Sequence, residues 1–364
     1  MIVNSISSKF LKTVKKSALR HLPRGFTVAG LICVGEFWCG VVMWFYKFFC
    51  VILTVLTMSS HALADEAFDE WLGRLRADAS AAGVSAETIN TALSTVTLRE
   101  KVVKYDRNQP EFKMTYPIYL KKVVTGGRVA EGKRLWAKHK DLLEKIGAHY
   151  GVQPRFIVAL WGIESGFGRF TGGFSVIDAL ATMAYDGRRA KFFRNELIEA
   201  LRIIDEGHIT AATMKGSWAG AMGQCQFMPS SFRAYAVDWD KDGKRDIWGT
   251  KADVFASIAN YLKYAKWRDD LTWGRQVRLP QGFDGSQLAE DKTVKSMEEW
   301  RNLGVLNVDG APLPTRDIAS RLVLPDGDEE MAFIVYSNFD STLRWNRSNY
   351  FALAVGALSD GMAY

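Results

Sequence analysis

The segment Trp161-Gly162-Ile163-Glu164-Ser165-Gly166-Phe167-Gly168 puts one carboxylate where acid–base chemistry is feasible. Phe156, Ile157, Leu160, Trp161 and Ile163 recur at helical spacing behind Pro154, a residue suited to a first helical turn, and Gly166 and Gly168 supply the stop. Glu164 therefore closes an apolar helix. The negative partial charge of a helix C-terminus and desolvation by apolar neighbours both favour the neutral, proton-carrying form of a carboxyl group. A group held in this way can act as a general acid near neutral pH. Taken alone, the segment reads as readily as a solvated glutamate at a helix end.

A second segment, Ser217-Trp218-Ala219-Gly220-Ala221-Met222-Gly223-Gln224-Cys225-Gln226-Phe227-Met228-Pro229-Ser230, is poor in charge and rich in small residues. Its glycines let a ligand approach the backbone. Ser217 and Gln226 can hydrogen-bond hydroxyl or N-acetyl groups, while Phe227 and Met228 supply apolar walls. A tight crossing of buried helices would use the same composition. A third segment carries Asp238, Asp240, Asp242, Gly243, Lys244 and Asp246 at positions 1, 3, 5, 6, 7 and 9 of an EF-hand-like loop. Position 12 is Gly249, and Asp253 follows four residues late. Such a loop, closed by Asp253, offers only oxygen ligands and so suits calcium; an Asp-Gly turn with surface carboxylates is the other reading. Other catalytic signatures are missing: there is no His-Glu-x-x-His, no Gly-x-Ser-x-Gly and no phosphate loop. Gly166-Phe-Gly168-Arg-Phe-Thr171 begins like a dinucleotide fingerprint but follows a helix and ends in threonine. His139, His149 and His208 are isolated.

In combination, Glu-Ser-Gly-x-Gly followed about 50 residues later by Gly-Ala-Met-Gly-x-x-Gln-Phe-Met-Pro-Ser resembles the lytic transglycosylases of the lysozyme-like superfamily. The closest group is the membrane-bound lytic murein transglycosylase B family, glycoside hydrolase family 103. Tyr185-Asp186-Gly187-Arg188-Arg189-Ala190, Ile258-Ala259-Asn260-Tyr261-Leu262 and Trp345-Asn346-Arg347-Ser348-Asn349-Tyr350 add to the match, which covers nearly all of 65–364. The resemblance implies that Glu164 is the single catalytic residue, acid and then base. It implies that Ser217, Gln226, Tyr261 and Asn346 line the sugar groove, that Phe227 and Met228 wall it, and that Arg188 and Arg189 face it. Tyr119 matches an aromatic groove residue. Trp345 and Phe351 stand where relatives can carry tyrosine. The implied reaction cleaves the β-1,4 bond between N-acetylmuramic acid and N-acetylglucosamine and forms 1,6-anhydromuramic acid. No cofactor is required for that chemistry, and the resemblance implies a structural Ca2+ in the Asp238–Asp253 loop. A muramidase that hydrolyses the same bond and a non-catalytic peptidoglycan-binding protein are the alternatives.

The elements that must position these residues are mostly helical. Phe68, Trp71, Leu72 and Leu75 start a helical region over 65–150, interrupted at Asn108-Gln109-Pro110. Further helices are expected over 189–206 and 253–266, each with an apolar stripe. From 268 to 330, frequent Gly and Pro separate short apolar runs, which predicts a small β-rich insertion, and helix returns over about 349–358. The expected fold is mainly α (α+β): an N-terminal helical subdomain at 65–150, a lysozyme-like catalytic core at 151–267, the β-rich subdomain at 268–330 and a C-terminal segment, 331–364, that returns to the groove.

The formal net charge of +7 arises almost wholly in residues 1–64, which hold seven basic side chains and one acidic. The other 300 residues carry 40 basic and 39 acidic side chains, so nucleic acid is excluded as a partner. Lys47, the eleven-residue apolar run Phe48–Met58 and Ala62-x-Ala64 have the pattern of a signal peptide cleaved after Ala64. Met43 is then the expected true start, and export to the periplasm the expected destination; a retained N-terminal anchor is disfavoured by Glu36 and Lys47. Three of the four cysteines fall in this leader, which leaves Cys225 alone and no intramolecular disulfide. The expected partners are peptidoglycan glycan strands, with cell-wall synthesis or division proteins as further candidates, and the expected state is a monomer.

Overall fold

The computed structural model describes residues 67–108, 114–327 and 330–363. The leader and its cleavage pattern lie outside the described residues. The chain divides into a unit ending at Glu70 and a unit spanning Trp71–Tyr364, and the second carries every candidate site residue. Among the described residues no helix is long and apolar enough to cross a membrane.

Seven helices come first: α1 (67–81), α2 (Ala86–Leu93), α3 (Glu100–Arg107), α4 (Tyr116–Val123), α5 (Gly126–Lys138), α6 (Lys140–Tyr150) and α7 (Pro154–Ser165). A two-residue strand β1 (Phe174–Ser175) leads into α8 (Val176–Asp186) and α9 (Ala190–Asp205). Strand β2 (Lys215–Gly216) pairs antiparallel with β1, and α10 (Pro229–Tyr235) and α11 (Lys251–Tyr264) follow. The β-rich region holds β3 (Gly274–Arg278), α12 (Ser286–Glu290), β4 (Val294–Lys295), α13 (Met297–Asn302), β5 (Leu306–Asn307), β6 (Ser320–Val323) and β7 (Ala332–Val335). The chain then forms α14 (Ser337–Trp345) and α15 (Asn349–Ala363).

Helix α7 is the axis of the main core. Pro154 opens it, and Phe156 through Gly162 are all buried. Helices α5, α6, α11 and α15 pack around it. At its C-terminus Gly166 adopts a left-handed conformation with φ 57°, and the amides of Gly166 and Phe167 turn back onto the carbonyls of Gly162 and Trp161. Five helices, α8, α10, α12, α13 and α14, go beyond the sequence-based expectation. Helix α8 escaped because Val176 through Ala184 are buried on every side, so no apolar stripe marks it. Helix α14 is short, and three of its four buried residues, Asn338, Ser341 and Thr342, are polar, so apolar spacing does not mark it.

The N-terminal helices are tied to this core by polar clamps. Arg99 reaches Asp178 of α8 through Nε at 2.8 Å and Nη2 at 2.5 Å, and its amide donates to Thr182 Oγ1 at 2.9 Å. Ser85 caps α2, and Thr88 Oγ1 donates to Asp205 of α9 at 2.7 Å.

The five-stranded sheet is antiparallel in the order β4-β6-β7-β3-β5. Its last paired strand, β7, lies past residue 330, and two helices interrupt the segment expected to be β-rich. Successive strand residues point to opposite faces. Phe333 and Val335 of β7 enter the main core, while Ala332 and Ile334 enter a second core with Trp300, Met297 and Leu322. The sheet is thus a wall buried on both sides.

Helix α15 approaches so closely that a Cβ on Gly356 would lie 2.3 Å from the Trp273 ring. Gly356→Ala should gain about 1 kcal/mol of helix propensity but lose about 1–3 kcal/mol to overpacking, for net destabilisation. Urea unfolding with an unchanged or raised midpoint would contradict that packing.

Candidate active site

Glu164 sits on the last turn of α7, half-buried. Its Oε1 accepts a hydrogen bond from Trp345 Nε1 at 2.7 Å, across 181 positions of sequence. Trp345 ends α14 and is itself held by rings. Its centroid lies 5.1 Å from Phe227 and 4.6 Å from Tyr261, and Tyr261 packs in turn on Tyr235 at 4.6 Å. The Tyr261 hydroxyl donates to the Arg344 carbonyl at 2.6 Å, which anchors the backbone just before Trp345. Burial, with help from Tyr235, pushes that phenol up to about 12, so it stays a donor through the physiological range.

The small-residue segment is a folded loop built to be close to the end of α7. Gly216 bridges to Met222 and Met222 to Phe227. Gly223 has φ 62°, and a Cβ there would meet the Ile247 carbonyl at 2.6 Å. Gln226 holds the same left-handed region with φ 49°, uncommon outside glycine, and its Nε2 donates to Thr171 and Gly223 carbonyls at 3.1 and 2.9 Å. Ser217 Oγ accepts from the amides of Ala221 at 3.0 Å and Ala219 at 3.3 Å, so its own hydrogen is left to donate. Met228 caps the start of α10, half-buried beside the fully buried Phe227.

A buried residue that sequence reasoning passed over binds these pieces together. Gln224 Oε1 accepts from Trp161 Nε1 at 2.9 Å, its Nε2 donates to the Trp248 carbonyl at 2.6 Å, and its amide donates to Ile247 at 2.8 Å. Its carbonyl accepts from Ser165 Oγ at 2.8 Å, and the same hydroxyl receives the Gly168 amide at 3.0 Å. Gly168 must be glycine here, because a Cβ would stand 2.2 Å from Gln224 Oε1. The neighbouring Cys225 is fully buried, and burial, then the Glu164 charge, raises its thiol well above the ordinary range, so it stays protonated and inert.

Tyr119 and Asn346 share a cleft of about 460 Å³ with Met114, Ser348, Tyr350 and Phe351. Asp326 braces it by accepting the Tyr116 amide at 3.0 Å and the Tyr350 hydroxyl. The two arginines share one carboxylate and stay about half exposed. Arg189 Nη2 lies 2.6 Å from one oxygen of Asp106 and Arg188 Nη2 2.8 Å from the other, and that carboxylate is wholly buried. A buried carboxylate requires such partners, and this pairing helps close α3 onto the start of α9 while the exposed parts of both guanidinium groups keep further donors.

In the acidic loop, Asp238, Asp240 and Asp253 bring carboxylate oxygens within 4.8 Å of one another. Asp253 is buried, and its two oxygens take the amides of Trp239 at 2.7 Å and Asp246 at 2.8 Å. Burial, opposed by those amides, pushes its carboxyl up to about 6. Asp246 does not join the group: its oxygens cap the turn into α11 by accepting the amides of Trp248, Gly249 and Thr250. Asp242 is also outside it, exposed, with Oδ1 on the Lys244 amide at 2.8 Å. The Lys244 side chain is exposed and cannot bind a cation; only its carbonyl could serve at that position.

The transglycosylase SLT domain family model matches residues 67–360. Membrane-bound lytic murein transglycosylase B of Escherichia coli (strain K12) is 35% identical over 251 residues, which span 67% of this chain and 66% of that protein, just under two thirds of its length. SltB3 of Pseudomonas aeruginosa, crystallised in complex with NAG-anhNAM-pentapeptide, has a TM-score of 0.78 at 43% identity, over 81% of this chain and 79% of that one. The Escherichia coli lytic transglycosylase Slt35, solved in complex with calcium, has a TM-score of 0.68 at 29% identity, over 80% and 92% of the two chains.

Gln224→Leu would strand the buried Trp161 N–H and the Trp248 carbonyl. A loss of about 2–4 kcal/mol in unfolding free energy is expected by chemical denaturation, the cost of two buried polar groups left unmatched. An unchanged stability would show that Gln224 is not the tie between α7 and the loop.

Proposed function

The chain belongs to the transglycosylase SLT domain family, and on that premise we propose that it is a lytic murein transglycosylase. It cleaves the β-1,4 bond between N-acetylmuramic acid and N-acetylglucosamine in peptidoglycan and leaves 1,6-anhydromuramic acid. The observation that carries this reading is Glu164 at the mouth of a buried helix, hydrogen-bonded by an indole and flanked by Phe227 and Tyr261. The groups placed around it supply apolar walls and donors, and none of those three is a second carboxylate. Ordinary glycosidases that use water need two carboxyl groups flanking the bond. One carboxyl group suffices where the substrate supplies its own nucleophile.

Glu164 first gives its proton to the glycosidic oxygen as the C1–O bond breaks, and the electron pair leaves with that oxygen. The substrate's N-acetyl group stabilises C1. The carboxylate then takes the proton of the 6-hydroxyl as that oxygen closes onto C1, so no water is consumed. Ser217 and Gln226 hydrogen-bond the sugars beside the scissile bond, Phe227, Met228 and Tyr261 form the wall, and Tyr119 and Asn346 extend the groove into their shared cleft. Arg188 and Arg189, each giving one contact to Asp106 and about half exposed, keep donors that would face the groove and pair with substrate carboxylates. The leader pattern of residues 1–64 supports delivery to the periplasm, where the polymer lies.

The acidic loop fits a hard cation: three carboxylates converge and one is buried. Asp238, Asp240 and Asp253 would hold calcium, which would neutralise their mutual repulsion and lock the loop; Slt35 solved with calcium supports this. Its role is structural.

Glu164→Gln should reduce release of muropeptides from purified sacculi by about 10²–10⁴-fold with folding intact. Mass spectrometry of wild-type products should show ends one water lighter than hydrolysed ends; hydrolysed ends would establish a muramidase, and no release at all a binding protein. Calcium at 100 times its dissociation constant should stabilise the chain by about 2.7 kcal/mol, reversed by chelation and weakened in Asp253→Asn. A melting temperature indifferent to calcium would reject the metal.

A further inference from the structure

We infer that Trp345 is a positioning residue that assigns the two oxygens of Glu164, holding Oε1 as the acceptor so that the transferred proton rides on Oε2. The inference rests on Glu164 being the acid–base group. An indole N–H can only donate. A carboxylic acid has one oxygen that carries hydrogen and one that does not, and the oxygen receiving an N–H at 2.7 Å is the one without. The same N–H strengthens its bond when the carboxylate forms, because a charged acceptor roughly doubles the interaction. Trp345 thus serves both halves of the reaction: it presents the proton on one defined atom, and it steadies the anion that must recover a proton at that same atom.

The ring is built to stay there. Phe227 and Tyr261 pack on it at 5.1 and 4.6 Å, the Tyr261 hydroxyl pins the preceding carbonyl, and the Asn346 amide closes the helix end on Thr342 at 3.1 Å. A tyrosine at this place would carry a hydroxyl able to donate or accept, and would not assign the oxygens. The choice of indole therefore has a chemical consequence beyond filling space.

The test separates donor from shape. Trp345→Phe removes the N–H with part of the ring. Replacement of Trp345 by β-(3-benzothienyl)alanine exchanges N–H for sulfur and keeps the outline. Both are expected to lower kcat on purified glycan strands about 10- to 100-fold, the size of one hydrogen bond to a charged group, with KM changed less than about twofold. The alkaline limb of the kcat/KM profile should move to higher pH, because the ionised carboxylate has lost a donor that favours it. A benzothienyl enzyme with wild-type kcat and an unmoved pH profile would overturn the inference and leave the indole as packing alone. Should Trp345→Phe fail to fold, the benzothienyl form still decides. Glu164→Gln run alongside distinguishes the two levels: turnover within about 10-fold of wild type there would remove the acid–base assignment itself, whereas a loss of about 10²-fold or more there with an indifferent benzothienyl form would remove only the role of Trp345.

Discussion

The frame behind Glu164 depends on one buried residue, Gln224, through both its side-chain amide and its backbone. Gln224 joins the end of α7, the glycine-rich loop and the exit of the acidic loop through Trp161, Ser165, Ile247 and Trp248. In a desolvated interior each of these polar groups would be costly alone, and together they are satisfied. The network converts three flexible, glycine-rich stretches into one rigid frame. It also explains why small residues recur: Gly168 and Gly223 leave no room for a Cβ against Gln224 and Ile247.

Much of this was legible in the residues. The helix from Pro154, its glycine stop and its terminal glutamate follow directly from spacing and capping, and α9 and α11 end within two residues of their predicted limits. Apolar spacing missed α8, which is buried all round, and α14, whose buried face is mostly polar. Asp253 could be nominated for the acidic loop by its position, whereas the turn-capping bonds of Asp246 could not be read, because a capping carboxylate and a metal ligand look alike in sequence. The tie of Arg188 and Arg189 to Asp106 was not legible, because that partner is 82 and 83 positions away. Trp345 was visible only as a departure from tyrosine. Its contact with Glu164 is purely tertiary, and no local pattern encodes it.

The small sheet contributes more than an appendage would. Because β7 alternates Phe333 and Val335 into the main core with Ala332 and Ile334 into the second, the two cores share a wall. Asp326, in the turn after β6, reaches Tyr116 and Tyr350 and so braces the Tyr119–Asn346 cleft. Insertions in such a sheet would be felt in the groove through that single carboxylate.

The 181-residue separation of Glu164 from Trp345 governs when the site comes into being. Ribosomes and export channels deliver a chain from its N-terminus, and contacts between distant positions form after local ones. The carboxylate is therefore synthesised, and its helix nucleated, well before the indole that meets it exists. Helices α14 and α15 must dock before the pair is complete, and α15 cannot dock until α5 and α7 offer their surfaces. A partly delivered chain holds an acid without its partner and an open seam where α15 belongs. The carboxylate and its indole donor therefore meet only after a long-range docking step, however early the helix that ends in Glu164 forms.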